Sequence, residues 1–163
     1  MIRIRSADLA GGDAAAVGAL VEAYLRQTEQ EKAERGLAEP VDFDGALPPR
    51  YAAEVTDPAR AFDADDVLLA VDDDRAVGVV VSRSVPEGTE IKRLWVDPGH
   101  RGQRIAEALL SAVVAGADGD VRLSVWEWRA PALAVYRRLG FAEVPSWDAR
   151  PALVCLVRAG GAR

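Results

Sequence analysis

Residues 94–110 read LWVDPGHRGQRIAEALL, an apolar strand end followed by a Pro-Gly turn and then by an apolar-periodic run. The spacing predicts a strand that stops at the turn and a helix that begins at Arg101-Gly102. The first amides of a helix have no partner within it, and the helix dipole is positive at that end. The turn therefore predicts a cradle for an anion, typically a phosphate.

The turn has neither of the two common nucleotide-binding patterns. It lacks Gly-x-x-x-x-Gly-Lys-Ser/Thr, and no Gly-x-Gly-x-x-Gly follows the strand. Arg101, Gly102, Gln103, Ile105 and Ala106 instead match the order Arg/Gln-x-x-Gly-x-Gly/Ala after a Val-x-Pro turn. This order resembles the pyrophosphate-binding motif of the GNAT superfamily of acyl-CoA-dependent N-acyltransferases.

Two arginines depart from the family's pattern. Arg104 stands where the motif has its central glycine, so either its side chain turns outwards or it adds a phosphate contact, which we favour. A second family signature, a helix that ends in Tyr-x-x-Leu-Gly-Phe, is similar to residues 132–141 around Tyr136. Its usual asparagine, seven residues before the tyrosine, is Arg129. The two signatures cover about residues 67–145, and the first sixty residues match only loosely.

The resemblance implies a fold and an activity. The fold is the α/β GNAT acyl-CoA N-acyltransferase fold, a mixed and largely antiparallel sheet flanked by helices, and we expect residues 1–163 to form a single domain. The activity is transfer of an acetyl group from acetyl-CoA to a primary amine, that of a small molecule, by direct attack in a ternary complex. Arg104 and Arg129 keep a second function open, an acyl-CoA-binding or interaction module without the chemistry. A third is a nucleotide-binding regulator that uses the cradle for another phosphate.

The resemblance also assigns roles to single residues. Glu90 is implied as the general base, and Tyr136 as the general acid that faces the sulfur. From the residues alone, Glu90 also fits a solvated strand-end carboxylate and Tyr136 a core tyrosine. A bulge around Trp95 or Val96 is expected to free an amide for the oxyanion. The expected cofactor-binding residues are Leu94, Trp95, Val96, Arg101, Gly102, Gln103, Arg104, Ile105, Ala106 and Arg129.

The charge is unevenly distributed along the chain, whose net charge is -6. Residues 92–138 carry 8 basic and 5 acidic groups, a surplus of +3, whereas residues 20–91 carry 7 basic and 17 acidic groups, or -10. The basic surplus coincides with the two signatures and favours capture of the phosphates of CoA, although chance alone can also place arginines there. The acidic total and the absence of a basic, aromatic-interleaved face argue against nucleic acid.

The numbers of cysteine and histidine residues bear on whether the protein binds a metal. With one of each, the chain has no plausible zinc ligand set, so no metal is expected. Cys155 lies in an apolar run and is expected to be buried, and His100 is read as a turn residue. No apolar run is long enough to cross a bilayer, and the N-terminus lacks a signal-peptide pattern. We expect a cytoplasmic protein that does not act at a membrane.

The periodicity predicts the elements around the signatures. We expect an edge strand at residues 2–5, a helix from a cap at residues 11–13 to Gly36, a loop at 37–49 and a short helix at 49–55. A hairpin of strands 67–71 and 76–84 follows, then a strand at 90–96 and a helix at 101–115. The chain is expected to continue with a strand at 121–125, a helix at 130–139 capped by Gly140, and two strands within 141–158. The exposed sheet edge permits a homodimer.

Two groups of residues bear on the acceptor, an acidic run and three tryptophans. Glu29, Glu31, Glu34, Glu39, Asp42 and Asp44 form an acidic run, which is typical of a solvated helix face. In the family this segment borders the acceptor pocket, which suggests a cationic amine. Trp126, Trp128 and Trp147 either line that pocket or pack on the sheet, and packing is the simpler interpretation.

Overall fold

The computed structural model describes residues 1–40 and 45–161. In these residues a single mixed sheet of seven strands has the order β1-β2-β3-β4-β5-β7-β6. All neighbouring strands are antiparallel except β4 and β5, which are parallel. The strands are β1 (Ile2–Ser6), β2 (Asp66–Asp72), β3 (Arg75–Val85), β4 (Gly88–Val96), β5 (Val121–Trp126), β6 (Ala142–Val144) and β7 (Leu153–Arg158). The helices are α1 (Ala14–Glu34), α2 (Ala52–Thr56), α3 (Pro58–Ala61), α4 (Ile105–Gly116) and α5 (Ala130–Arg138), with 3₁₀ turns at Pro49–Tyr51 and Pro98–His100.

Helices cover both faces of the sheet, as the sequence predicts. One apolar cluster joins the sheet to α4 and α5, with Leu109 and Leu110 fully buried. The other joins it to α1, through Val17 and Val21. Strand β3 lies between the two clusters and is an almost continuous valine run, which is what a strand buried on both faces requires. The mixed, mostly antiparallel α/β fold is therefore confirmed.

The strand that leads to the turn contains a bulge, but not where the sequence suggested. Opposite β3, Arg93 pairs with Val81 and Ile91 with Ser82, so Lys92 is the extra residue. The expectation of a bulge at Trp95 or Val96 was wrong, because both residues pair regularly with β3. An extra residue reverses the alternation of a strand. Ile91 therefore packs in the α4 cluster while Trp95 packs in the α1 cluster.

Strands β4 and β5 pair for only three residues and then separate. The parallel register runs from Thr89 opposite Val121 to Ile91 opposite Leu123. Beyond this point β5 stays paired with β7, whereas no strand of the described residues pairs with the β5-facing edge of β4. The separation leaves a gap in the sheet directly before the turn.

Helix α4 begins later than predicted. The sequence indicated a start at Arg101, but α4 starts at Ile105. The intervening residues form a turn, because Gly102 has a φ of 80° and Arg104 a φ of 59°. Left-handed residues interrupt a right-handed helix, and they commonly lie at helix ends. Arg104 is thus the N-cap residue of α4 and takes the backbone conformation that favours glycine.

The remaining differences lie at element ends. Helix α1 stops at Glu34 instead of Gly36, which has a φ of 70° and ends the helix. Helix α3 was not predicted, although the Asp57-Pro58 pair marks its start, where the Asp57 carboxylate accepts from the Arg60 amide. Among the described residues, no helix is both long and apolar enough for a membrane span.

Candidate active site

The gap between β4 and β5 opens into a cavity of about 250 Å³. Strands β4 and β5 form its floor, and α1, α5 and the β6–β7 connection form its walls. Both residues that the sequence proposed for proton transfer, Glu90 of β4 and Tyr136 of α5, line this cavity. The structure thus brings together two residues that lie far apart in the chain. Their catalytic roles stay predictions.

Tyr136 combines packing with access to the cavity. Its ring is 6% exposed and meets Phe141 edge to face, with 5.9 Å between the ring centroids. Burial raises the pKa of the Tyr136 hydroxyl, the nearby Tyr24 raises it further, and Arg129 lowers it to a smaller extent. Among the described residues, none forms a hydrogen bond with this hydroxyl. The group therefore stays protonated at neutral pH and has its proton available for a ligand.

Glu90 lies at the base of the cavity next to the bulge. Its side chain is 25% exposed, and the Lys92 ammonium lies 3.2 Å from one carboxylate oxygen. Lys92 is the bulge residue and was not identified from the sequence. The bulge itself depends on how β4 pairs with β3, so no local sequence pattern marks Lys92. The pair places a carboxylate with its own counter-ion where a substrate amine can reach it.

The turn before α4 presents a row of open amides. In the described residues, no protein group accepts a hydrogen bond from the amides of residues 102–107. A Cβ at Gly102 would meet no atom within 4 Å, so the space beside this residue is free. Arg104 is exposed at the helix start. Open amides, a helix N-terminus and a free arginine fit a pyrophosphate.

Arg101 connects this turn to the end of β4. Its Nε donates to the Val96 carbonyl oxygen at 3.2 Å, and its guanidinium lies over the Trp95 ring, 4.7 Å from the centroid. A further contact at 3.5 Å reaches the side-chain oxygen of Gln27 on α1. The guanidinium thus fixes the turn against both β4 and α1, which the sequence motif alone did not reveal.

Arg129 contacts α1 instead of the turn. Its Nε and one terminal nitrogen donate to the same Glu31 oxygen at 3.0 and 2.9 Å, and the terminal nitrogen also donates to the Thr28 hydroxyl at 2.7 Å. Trp128 donates to that Glu31 oxygen at 3.0 Å. Burial alone would raise the pKa of Glu31, but hydrogen bonds from Trp128, Gln27 and Arg129 outweigh it and lower the pKa. Arg129 lines the cavity, and its role as a cofactor ligand stays a prediction.

In the part of the chain that the structure describes, no carboxylate of the acidic run is among the residues that line the cavity. Glu29 is 3% exposed and pairs with Lys32 at 2.8 Å, while Glu31 pairs with Arg129. Asp42 and Asp44 lie outside the described residues. In the described residues, the α1 wall of the cavity therefore has no unpaired carboxylate that would bind a cationic amine. The hypothesis of a cationic amine substrate stays a prediction.

The other conspicuous residues have simpler positions. Trp126 is buried and stacks on Trp128 with 4.9 Å between the centroids, yet it also lines the cavity, as does Trp147. Both interpretations of the tryptophans thus apply to Trp126. Cys155 is 1% exposed, as predicted, and His100 lies in the 3₁₀ turn before residues 101–104.

A mixed sheet that separates at one parallel pair, next to a turn of open amides, is the α/β arrangement that the two sequence signatures led us to expect. The comparison with protein families agrees. The model of the acetyltransferase (GNAT) family matches residues 20–141, and the chain belongs to this family.

Individual relatives support the same placement. A mycothiol acetyltransferase of Brachybacterium faecium is 37% identical over 89 residues, which are 49% of this chain and only 27% of that protein. The crystal structure of a GNAT-family acetyltransferase from Staphylococcus aureus has a TM-score of 0.68 at 15% identity and covers 99% of this chain and 100% of its own. The PaiA N-acetyltransferase of Thermoplasma acidophilum, solved with coenzyme A, has a TM-score of 0.66 at 14% identity over 98% and 99% of the two chains. At these identities the solved structures establish the fold.

Proposed function

We propose that this protein transfers an acetyl group from acetyl-CoA to the primary amine of a small molecule, by direct attack in a ternary complex. The observation that carries the proposal is that Glu90, just before β4 and β5 separate, and Tyr136 line the same cavity. Among the described residues, no serine or cysteine that lines the cavity has an adjacent base, so a covalent acyl carrier is not part of the proposal.

The donor side of the site consists of the turn and the free edge of β4. Acetyl-CoA, when bound, supplies the acetyl group as a thioester. The amides of residues 102–107 and the Arg104 guanidinium hold its pyrophosphate, while the open β5-facing edge from Leu94 to Val96 offers backbone groups to the rest of the molecule. Arg101 keeps the turn and the strand end in fixed relation.

The acceptor side carries out the proton transfers. The amine nitrogen forms a bond to the acetyl carbon, and the bond between that carbon and sulfur breaks. The nitrogen loses a proton to Glu90, directly or through one water, and the sulfur gains a proton from Tyr136. A backbone amide on the free edge of β4 stabilises the oxyanion in a site that is partly closed to water. The products are the N-acetylated amine and CoA.

The test is a thiol-release assay in which acetyl-CoA is mixed with a panel of neutral, cationic and anionic primary amines, and the acetylated product is identified by mass spectrometry. We expect turnover of at least one amine. In the double variant Glu90→Gln/Tyr136→Phe we expect kcat to fall by about 100-fold or more, which is the range that positioned acids and bases supply. Exposed Arg137→Gln serves as the control. Binding of acetyl-CoA without turnover of any amine would instead identify an inactive acyl-CoA-binding module.

A further inference from the structure

A second cavity of about 280 Å³ adjoins the first, and the two share the residues of their common wall. The shared residues are Lys32, Tyr51, Trp126 and Arg150, and Arg50 is added on the outer side. The two cavities are therefore separated by no more than these shared side chains. The inner cavity holds Glu90 and Tyr136, whereas the outer one has three cations and no carboxylate among its lining residues in the described part of the chain.

The cations of the outer cavity outnumber the carboxylates that they contact. Glu29 is the partner of Lys32 at 2.8 Å and also of Arg50 at 3.7 Å, so one buried carboxylate serves two cations. Arg150 has its own partner, Asp148, at 2.7 Å. Among the described residues, these three cations thus contact two carboxylates, which is an excess of one positive charge. An anion that entered the cavity would supply the missing charge.

Both arginines keep N–H groups for that anion. In the described residues, Arg50 has one ion pair, at 3.7 Å, and Arg150 donates to Asp148 from Nε and one terminal nitrogen, which leaves its other terminal nitrogen. The side chains of Arg50 and Arg150 are each 60% exposed, and aromatic rings support both. The Arg50 guanidinium lies 4.6 Å from the Tyr51 centroid, and that of Arg150 lies 5.8 Å from the Trp126 centroid. A guanidinium that lies over a ring has its N–H groups at its own edge, where they can bind carboxylate oxygens.

We propose that the acceptor carries a carboxylate, which Arg50 and Arg150 bind in the outer cavity while the amine lies beside Glu90 in the inner one. This inference rests on the proposed function, since it names the class of amine that the site accepts. It assigns Arg50 and Arg150 as specificity residues that take no part in proton transfer. The substrate class is an amino acid or a similar compound whose amine and carboxylate lie at opposite ends.

The experiment compares matched acceptors that differ only in charge. Straight-chain amino acids of three to six carbons with a terminal amine are each assayed beside their primary amides, by thiol release. For the best chain length we expect a kcat/KM about 10-fold or more higher for the acid than for the amide, because the amide cannot form charge-assisted bonds to the arginines. The ratio should fall to about 1 in Arg50→Gln and be partly restored in Arg50→Lys, which keeps the charge but not the planar fork.

Arg137→Gln is the matched control, since Arg137 is 61% exposed and has a single ion pair at 3.8 Å, to Glu143. We expect it to keep the preference for the acid. Equal kcat/KM for acid and amide at every chain length, with measurable turnover, would overturn the inference and leave the proposed function intact. Unchanged preference in Arg50→Gln and Arg150→Gln would overturn it as well.

A binding measurement covers the case in which no amine is turned over and the proposed function fails. The probes are 4-acetamidobutyrate and its primary amide, titrated against the tryptophan fluorescence to which Trp126 contributes. Tighter binding of the acid, lost in Arg50→Gln, would support the anion site without the reaction. Equal binding of the two probes would overturn it.

Discussion

Arg129 and Glu31 form an ion pair of 2.9 Å that joins the start of α5 to α1 across 98 residues of sequence. Tyr136 lies on the same short helix, two turns further along. The ion pair thus sets the position of the helix that carries the proposed acid. The side chains of both partners are at most one-fifth exposed, so the pair is shielded from much of the solvent.

Breaking this pair should weaken the fold. Removing one partner leaves the other partly buried and uncompensated, so Arg129→Met and Glu31→Gln are each expected to lower the free energy of unfolding by about 1–3 kcal/mol. Urea denaturation measures the loss. If Arg129 is also a cofactor ligand, as the family signature implies, only Arg129→Met weakens acetyl-CoA binding. Equal affinity for acetyl-CoA in the two variants would show that the role of Arg129 is purely structural.

Tyr136→Phe should separate turnover from binding. The hydroxyl has no hydrogen-bond partner among the described residues, so its removal costs little stability. We expect the melting temperature and the Kd for acetyl-CoA to change little, while kcat falls by about 100-fold because the departing sulfur loses its proton donor. Steady-state kinetics and a thermal melt test this together. An unchanged kcat would exclude the acid role.

Glu90→Gln should change the pH profile of turnover. A general base works only when deprotonated, so the wild type is expected to lose kcat/KM towards acid pH, and the variant should lack that ascending limb and be about 100-fold slower. Glu87→Gln, in the exposed turn between β3 and β4, is the control, since the Glu87 side chain is 62% exposed. A limb that persists in Glu90→Gln would mean that the amine itself or another group controls it.

The acid stability of the fold should depend on Asp13. Hydrogen bonds from Arg5, then from the Asp8 amide, lower the pKa of Asp13 to about 2 from its usual 3.8. Because the folded-state pKa is the lower one, this stabilisation is fully present above about pH 4 and is lost as the pH falls through 2. At neutral pH, Asp13→Asn is expected to cost about 1 kcal/mol, and the difference from wild type should shrink towards pH 2. Urea melts over pH 2–7 measure both.

The parts of the site that depend on local sequence were predictable. The Pro-Gly turn, the open amides and the helix that carries Tyr136 follow from the order of neighbouring residues, and the strands follow from their alternation. Their alternation also predicted the antiparallel hairpin, whose tight turn has Asp73 and Asp74 at positive φ.

The parts of the site that depend on pairing between distant segments could not be predicted from the sequence. The bulge at Lys92 results from the register of β4 against β3, and a strand's own sequence does not state its register. The partner of Arg129 lies on α1, and the outer cavity joins α1, residues 50–51 and the β6–β7 connection. The sequence therefore predicted the turn and the helix next to it, whose cofactor-binding role stays a prediction, and left the acceptor side open. The expectation of one domain over residues 1–163 stays a prediction.

Binding of acetyl-CoA by the turn before α4 can be measured by calorimetric titration of acetyl-CoA into wild type and into Arg104→Gly. The glycine suits the left-handed backbone at residue 104 and keeps the amides, so the variant removes only the guanidinium. We expect one site in the wild type and about 5- to 10-fold weaker binding in the variant, the loss of one charge-assisted phosphate contact. No binding to the wild type would contradict the account, because Arg104 would then close the site that the amides form.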